Sequence, residues 1–373
     1  MKSRTLGPTG YTVSEIGFGG WGLGADMWRG VDDAMAREAL RAALDQGITF
    51  FDTALAYGNG HSERLIGEVL RVHVRAGHVR VATKVPPLNN EWPGRADRPL
   101  AAVFPARHIA ASTETSLQHL GVEALALQQL HVWHDAWLDD PEWEACYNRM
   151  VGLKREGKVL HWGISINDHA PETALRVLQN PLFETAQVIY NIYDRSPETA
   201  LFALARNKPL GIIVRVPFDE GALTGQIRST TVFPPGDWRE EYFSGDRRAE
   251  AERRGKALAE LLGEEVETLP ELALRFCLSS PAVSTVIPGM RRPAHVRPNA
   301  AAAAKGPLSP RLLSKLEAQH TVIWALKDLA RRLRVLHFDM GRTFELTDEW
   351  AGHVGLPVRP PQESAERSGH TGA

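Results

Sequence analysis

Residues 47–58 read GITFFDTALAYG: an apolar run of buried-strand length stops at Asp52, and Tyr57 follows five residues later. Further along, the run VATK closes on Lys84 and the run LQQLH on His131. Four proton-handling side chains therefore stand where successive core strands end. In a parallel α/β protein, chemistry collects at the carboxyl ends of the strands, and several strands each contribute a residue. The pattern is that of an enzyme.

Strand-like and helix-like patterns alternate from a Gly-rich hairpin at Thr5–Gly19 to about residue 304, which implies parallel strands with helical crossovers. Strands are expected at Phe18–Trp21, Thr49–Asp52, Val79–Thr83, Ala126–His131, Leu160–Ser165, Gln187–Asn191, Gly211–Val216 and Val283–Ile287. Helices are expected at Ala34–Gln46, Ser62–Val72, Ala106–Leu120, Glu142–Glu156, Pro171–Leu178, Pro197–Ala205, Arg247–Leu278 and Pro293–Lys305. Eight such repeats favour a closed (β/α)8 TIM barrel over an open sheet. The fold class is thus α/β, with an N-terminal β-hairpin and a C-terminal extension. Residues 1–320 should form the barrel, including a last helix at Leu308–His320. Residues 321–356 form a partly helical extension that could serve as lid, oligomer contact or appendage. The polar, Pro-containing stretch 357–373 reads as a disordered tail. Two interruptions, Pro86–Pro105 and Asp219–Asp246, follow strand ends and should cover the barrel mouth as substrate-facing loops.

The 373 residues are 43% hydrophobic, enough for a large core, and carry 43 basic against 45 acidic residues. A formal charge of −2 gives no field that would draw nucleic acid or an anionic membrane. Two cysteines, Cys146 and Cys277, both in helical segments, argue against a disulfide framework or a zinc site, and no metal is expected. No apolar run has signal-peptide or bilayer-spanning length, so the expected location is cytoplasmic, and the sequence leaves the oligomeric state open.

Taken singly, Asp52 could be a helix cap, Tyr57 a loop aromatic, Lys84 a surface charge and His131 a core histidine. Together they constrain one another. A lysine and an aspartate entering one apolar mouth must pair to avoid isolated buried charge. The ammonium beside Tyr57 then favours phenolate and draws its pKa down from about 10 toward the range of a general acid. His131 can donate a hydrogen bond to a substrate oxygen. Such a group fits carbonyl reduction, with Tyr57 protonating the oxygen, and requires an external hydride source.

The segments GITFFDTALAYGNGHSERLIGEVL, VATK, LQQLHVW and HWGISIN resemble those of the aldo-keto reductase superfamily in order and spacing, over residues 4 to about 320. The resemblance implies a (β/α)8 barrel that binds an extended nicotinamide dinucleotide and works through an Asp-Tyr-Lys-His tetrad, here Asp52, Tyr57, Lys84 and His131. His134, three residues on, competes for the histidine role, and His131 is preferred because it directly follows the strand run. Trp133 and Trp137 are expected to wall a substrate pocket that also includes Trp21, Tyr57 and His131.

The same resemblance assigns Ser165, Asn167 and Gln187 to the nicotinamide carboxamide. It places Gly20 and Trp21 beside the nicotinamide ribose, with Asp52 next to the cofactor. Relatives place an aromatic residue after strand seven; this chain has Arg215, whose planar guanidinium can also stack on a ring, or can pair with Asp219 or Glu220. Val216, Pro217 and Phe218 follow it on the cofactor side. Gly221 to Gly225 resembles the pyrophosphate loop, with Leu223 as a hydrophobic clasp. Ile287, Gly289, Met290, Arg291, His295 and Asn299 correspond to residues around the adenosine end. Arg291, Arg292 and Arg297 beside a helix start suit a 2′-phosphate, favouring NADP (NADPH) with NAD possible. Pro298 replaces the acidic residue usual before the asparagine.

The expected activity is an NADP(H)-dependent aldo-keto reductase acting on an aldehyde, ketone or alcohol, with a small carbonyl or alcohol molecule as its partner. One alternative is an NADPH-binding, redox-sensing regulatory subunit with little turnover. Another makes Lys84 a Schiff-base nucleophile, which pairing with Asp52 disfavours.

Overall fold

Strands β1 (Ser3–Thr5) and β2 (Thr12–Ser14) pair antiparallel, with Arg4 opposite Val13. The other eight are β3 (Phe18–Gly19), β4 (Phe50–Asp52), β5 (Arg80–Val85), β6 (Leu127–Leu130), β7 (Trp162–Ser165), β8 (Phe183–Ile189), β9 (Gly211–Arg215) and β10 (Val283–Val286). They form one sheet in sequence order, every pairing parallel. Its two edges meet where Ile16 bridges Val286 and Gly19 bridges Gly289, with Gly17 N donating to Val286 O at 2.8 Å. Among the described residues these bridges join the two edge strands of the sheet, β3 and β10. The computed structural model describes residues 1–30 and 32–318. The expected extension 321–356 and tail 357–373 lie outside the described residues, as does the end of the expected last helix, of which 310–318 is helical.

All eight expected strands are present, several shorter than expected; β8 instead begins at Phe183 and stops at Ile189. Inside the barrel, Phe50, Ala82, Leu127, Ile213 and Ile287 pack with Leu6 and Val13 of the hairpin. Leu6 lies against Gly211, the first residue of β9, so the hairpin plugs the amino end of the barrel. Above this layer the inward positions turn polar. The register places Lys84 beside Gln129, Gly163 beside Thr185, and Ser165 beside Gln187.

Around the sheet lie helices α1 (Asp33–Asp45), α2 (His61–Arg75), α3 (Leu100–Val103), α4 (Ala106–Leu120), α5 (Trp143–Arg155), α6 (Leu201–Asn207), α7 (Arg239–Tyr242), α8 (Arg247–Ala259), α9 (Leu269–Ser279) and α10 (Pro293–Ala304). Three segments differ from expectation. Pro171–Leu178 forms two 3₁₀ turns rather than one helix, because the Asp135 carboxylate accepts from Arg176 N (2.6 Å) and Val177 N (3.0 Å) and takes those amides from a helical ladder. Pro197–Ala205 divides into a 3₁₀ turn, Ser196–Glu198, and α6. Arg247–Leu278 is α8 and α9, separated where Thr268 caps α9 ahead of Pro270.

Candidate active site

The turn that carries Tyr57 is fixed from beneath. Thr53 Oγ1 donates to Ser62 Oγ at 2.8 Å, and Ser62 Oγ donates to Gly20 O at 2.9 Å, tying the ends of β3 and β4 to the start of α2. Gly58 has φ 61°, and a Cβ there would lie 2.1 Å from Gly24 O. Only glycine lets the two loops approach this closely. Gly20 donates its N–H to Asp52 O at 2.8 Å.

Asp52, Lys84, Tyr57 and His131 come together at the carboxyl end of the barrel. Lys84 Nζ donates to Asp52 Oδ2 (2.7 Å), Asp52 Oδ1 (2.9 Å) and Thr53 O (2.7 Å), and lies 3.3 Å from Tyr57 Oη. Gln187 Nε2 donates to Asp52 Oδ1 at 2.7 Å. The His131 ring meets Tyr57 edge-on, centroids 5.6 Å apart. Burial pushes the Asp52 carboxyl up and the Lys84 ammonium down, and their mutual attraction opposes both shifts. His131 falls well below the ordinary histidine range, through burial and the charges of Lys84 and Arg215, so its imidazole is neutral near pH 7 and can donate one N–H.

Tyr57 departs from expectation. Burial, reinforced by the Asp52 charge, holds its hydroxyl well above the usual tyrosine value rather than below it. The physical reason is that Lys84 is engaged by Asp52 and Thr53, so desolvation outweighs any help from the ammonium. A tyrosine of this kind is protonated at neutral pH, the state a proton donor needs.

The expected cofactor residues divide into two groups. Ser165 is buried at the end of β7, and Gln187 keeps its Oε1 buried and unpaired among the described residues. Asn299 Nδ2, on α10, is likewise buried without a partner, and Gly289 faces open space. Gly221 (φ 109°) and Gly225 (φ 71°) shape the loop after β9, which begins with Val216 at φ 56° and Pro217; Phe218 O accepts from Gly221 N and Leu223 N. Unsatisfied strand-end groups and an open cradle fit an elongated polar ligand such as a nicotinamide dinucleotide.

Other residues are used by the protein itself. Asn167 Nδ2 donates to Gly94 O (2.9 Å) and Trp133 O (2.8 Å), while its Oδ1 accepts from Gly94 N (2.9 Å). Its amide clamps the Pro86–Pro105 loop. Leu223 and Met290 are fully buried in the hydrophobic core, and Ile287 sits in the barrel interior. Trp133 is also fully buried, its ring against Trp137, Trp143 and Phe183 and its Nε1 donating to Asp135 Oδ1 at 3.0 Å. Trp137 Nε1 donates to Arg98 O at 2.9 Å. His134 Nδ1 caps the turn Asp135–Asp139 by accepting from Ala136 N at 3.1 Å.

Arg215 pairs with neither Asp219 nor Glu220. Its Nη2 donates to Ile166 O (2.8 Å) and Asp168 Oδ1 (2.6 Å), reaching from the end of β9 past β8 to the segment after β7. Arg291 lies over Trp28, 5.0 Å from the ring centroid, and its Nη1 donates to Arg29 O at 2.7 Å. Burial and the nearby Arg239 lower it to about 10. His295, at the start of α10, is held below the ordinary histidine value by partial burial of its ring and by Arg292 and Arg291.

Aromatic residues missing from the expectation complete the mouth. Trp92, from the first interruption, stands edge-on to His131 at 4.6 Å. Trp28 and Trp238 flank Trp21 at 5.6 and 5.4 Å, and Trp21 in turn lies 6.4 Å from Tyr57. Trp238 N donates to Met27 O at 3.0 Å, and Arg29 N donates to Asp237 Oδ2 at 3.1 Å, joining the second interruption to the loop after β3. For Trp92 and Trp238 the signal was the aromatic content of stretches already expected to cover the mouth; Trp28 lies in neither stretch.

The profile of the Aldo/keto reductase family matches residues 15–319. The chain is 29% identical over 310 residues to the aldo-keto reductase YhdN of Bacillus subtilis, covering 79% of this chain and 86% of that protein. It is 28% identical over 334 residues to a probable voltage-gated potassium channel subunit beta of Arabidopsis thaliana, covering 85% of this chain and 96% of that one. Among solved structures, the holo form of the aldo-keto reductase AKR11C1 from Bacillus halodurans superposes with a TM-score of 0.65 at 28% identity, covering 85% of this chain and 96% of that one.

Proposed function

The chain belongs to the aldo/keto reductase family, and from that premise we propose that it is an NADP(H)-dependent oxidoreductase that interconverts a carbonyl compound and its alcohol, with Tyr57 as general acid and base. The observation that carries this reading is the placement of the Tyr57 hydroxyl, 3.3 Å from a buried Lys84–Asp52 pair and edge-on to a neutral His131. The bound nicotinamide supplies the hydride. His131 donates to the carbonyl oxygen and orients it, and Tyr57 passes its proton to that oxygen. Asp52 fixes Lys84, and Gln187 fixes Asp52 while leaving its own Oε1 for the carboxamide.

Arg291 and Arg292 gather positive charge beside the start of α10, with Arg239 near Arg291, and a 2′-phosphate would relieve their repulsion; this supports NADP over NAD. Trp21, Trp28, Trp92 and Trp238 suit a flat or apolar substrate, or a sugar that stacks on indole.

Steady-state oxidation of NADPH against a broad carbonyl panel tests the reading, with Tyr57→Phe as the control. The variant should lose about 10²- to 10⁴-fold in turnover while keeping cofactor affinity within a few-fold. Normal turnover by Tyr57→Phe would remove the proton-donor role. The similarity to the Arabidopsis channel subunit favours one second reading, a redox-sensing regulatory subunit. Tight NADPH binding with no turnover on any member of the panel would select it.

A further inference from the structure

His131 is anchored through its backbone, where its N–H donates to Val85 O at 3.0 Å, while its ring nitrogen Nδ1 is buried with no hydrogen-bond partner among the described residues. The torsion that turns a histidine ring is broad, so a ring without such a bond takes its plane from what packs on it. Two aromatic rings pack on this one: Tyr57, with centroids 5.6 Å apart at 72°, and Trp92, closer, at 4.6 Å and 85°. Edge-to-face contact at that distance is an arrangement aromatic quadrupoles favour. Burial does not place Trp92, which stays 48% exposed. Its loop does. Asn167 holds Gly94, two residues on, by bonds of 2.9 Å at both its N–H and its carbonyl. Arg98 Nε grips the preceding residue, donating to Glu91 Oε2 at 2.6 Å, and Leu88 N donates to Val103 O at 2.8 Å across the base of the loop.

We propose that Trp92 is a positioning residue for His131: its indole, held by the clamped loop, fixes the plane of the imidazole and keeps the donor nitrogen turned toward the substrate oxygen. The inference rests on the oxidoreductase reading and adds to it the group that orients its histidine. With no acceptor at Nδ1, nothing holds a proton there, and Nε2 carries the single N–H of the neutral ring. A hydrogen bond weakens steeply as its angle closes, so an imidazole that rotates away loses its grip on the carbonyl. The indole also covers the ring against water. The charges that face His131 are both cations, Lys84 from β5 and Arg215 from β9. Tyr57, after β4, faces it as a protonated phenol, and on the loop itself Glu91 is taken up by Arg98. With those groups unchanged, removal of the indole admits water and returns the imidazole toward ordinary histidine titration.

The test combines steady-state carbonyl reduction with imidazole nitrogen NMR of the full chain, the His131 signal being assigned with His131→Gln. Trp92→Ala should lower kcat about tenfold or more, since misplacing a catalytic group by a fraction of its contact distance costs rate and not only binding. Trp92→Phe, which keeps an aromatic edge, should retain most of the wild-type rate. In wild type and Trp92→Phe the His131 signal should be that of one neutral tautomer, protonated at Nε2, and should stay still as the pH falls through about 6.5. In Trp92→Ala it should move within that range. A loss confined to KM in Trp92→Ala would make Trp92 a substrate wall and overturn the proposal. A His131 signal that behaves alike in wild type and Trp92→Ala, or a Trp92→Phe variant that behaves as Trp92→Ala, would overturn it as well. If no carbonyl turns over, the oxidoreductase reading fails separately, and the NMR comparison alone decides whether Trp92 sets the state of His131.

Discussion

The side-chain amide of Asn167 closes on the backbone of Gly94 from both sides, accepting from its N–H and donating to its carbonyl, each at 2.9 Å. A third bond, to Trp133 O at 2.8 Å, ties the first mouth loop to the segment after β6. An amide engaged in this way is a loop fastener.

Asn167→Ala should therefore act on the loop before it acts on the cofactor. Leaving buried backbone groups of Gly94 and Trp133 unsatisfied costs about 1–3 kcal/mol in stability, readable by urea denaturation. Substrate KM should rise while NADPH affinity, measured by fluorescence quenching, stays within a few-fold. A large loss of NADPH affinity with unchanged stability would return Asn167 to the carboxamide site.

Lys84 and Asp52 are a buried ion pair, and removing one partner strands the other. Lys84→Met should destabilise the fold by about 3–5 kcal/mol and abolish turnover. Adding Asp52→Asn should restore much of the stability without restoring activity, because the neutral pair no longer buries an unmatched charge. Equal stability of the single and double variants would show that Asp52 takes up a proton once Lys84 is removed, so that no charge is stranded.

Arg291 lies across Trp28 at the start of α10. Arg291→Ala should weaken NADPH binding about ten-fold or more and NADH binding by much less, since only the former carries the 2′-phosphate. Titration calorimetry with both cofactors checks this. Equal losses would assign Arg291 to packing on Trp28.

Glu220 sits at φ 55° in the loop after β9, and burial, with Asp219 and Asp168 nearby, pushes its carboxyl up to about 8. Its folded pKa exceeds its unfolded one, so the folded chain binds the extra proton. Stability from this group is complete below the unfolded pKa and is lost as pH rises from about 4.5 to about 8. Glu220→Gln should flatten the thermal stability profile across that window and raise Tm above it. A variant whose Tm falls in parallel with wild type would locate the pH dependence elsewhere.

Order and type of the strands were legible in the sequence because each strand is buried on both faces and reads as an apolar run, and Asp52, Lys84 and His131 stand at or just past the ends of such runs. The segment Pro171–Leu178 was not legible, since the group that unmakes its helix, Asp135, is 36 residues before it. The aromatic wall was half legible. The loops carrying Trp92 and Trp238 could be placed over the mouth and the one carrying Trp28 could not, and which indoles reach the mouth depends on cross-loop bonds such as Trp238 N to Met27 O.

The sequence by itself determined the barrel and brought the four proton-handling residues to one end of it, because strand periodicity and strand order are local properties repeated along the chain. Only the tertiary structure decided how each polar group is occupied. Asn167 is turned to Gly94, Arg215 to Ile166 and Asp168, and Tyr57 is held protonated by burial. Hydrogen-bond partners and desolvation depend on distances between segments far apart in the chain, and those distances exist only once the barrel has closed.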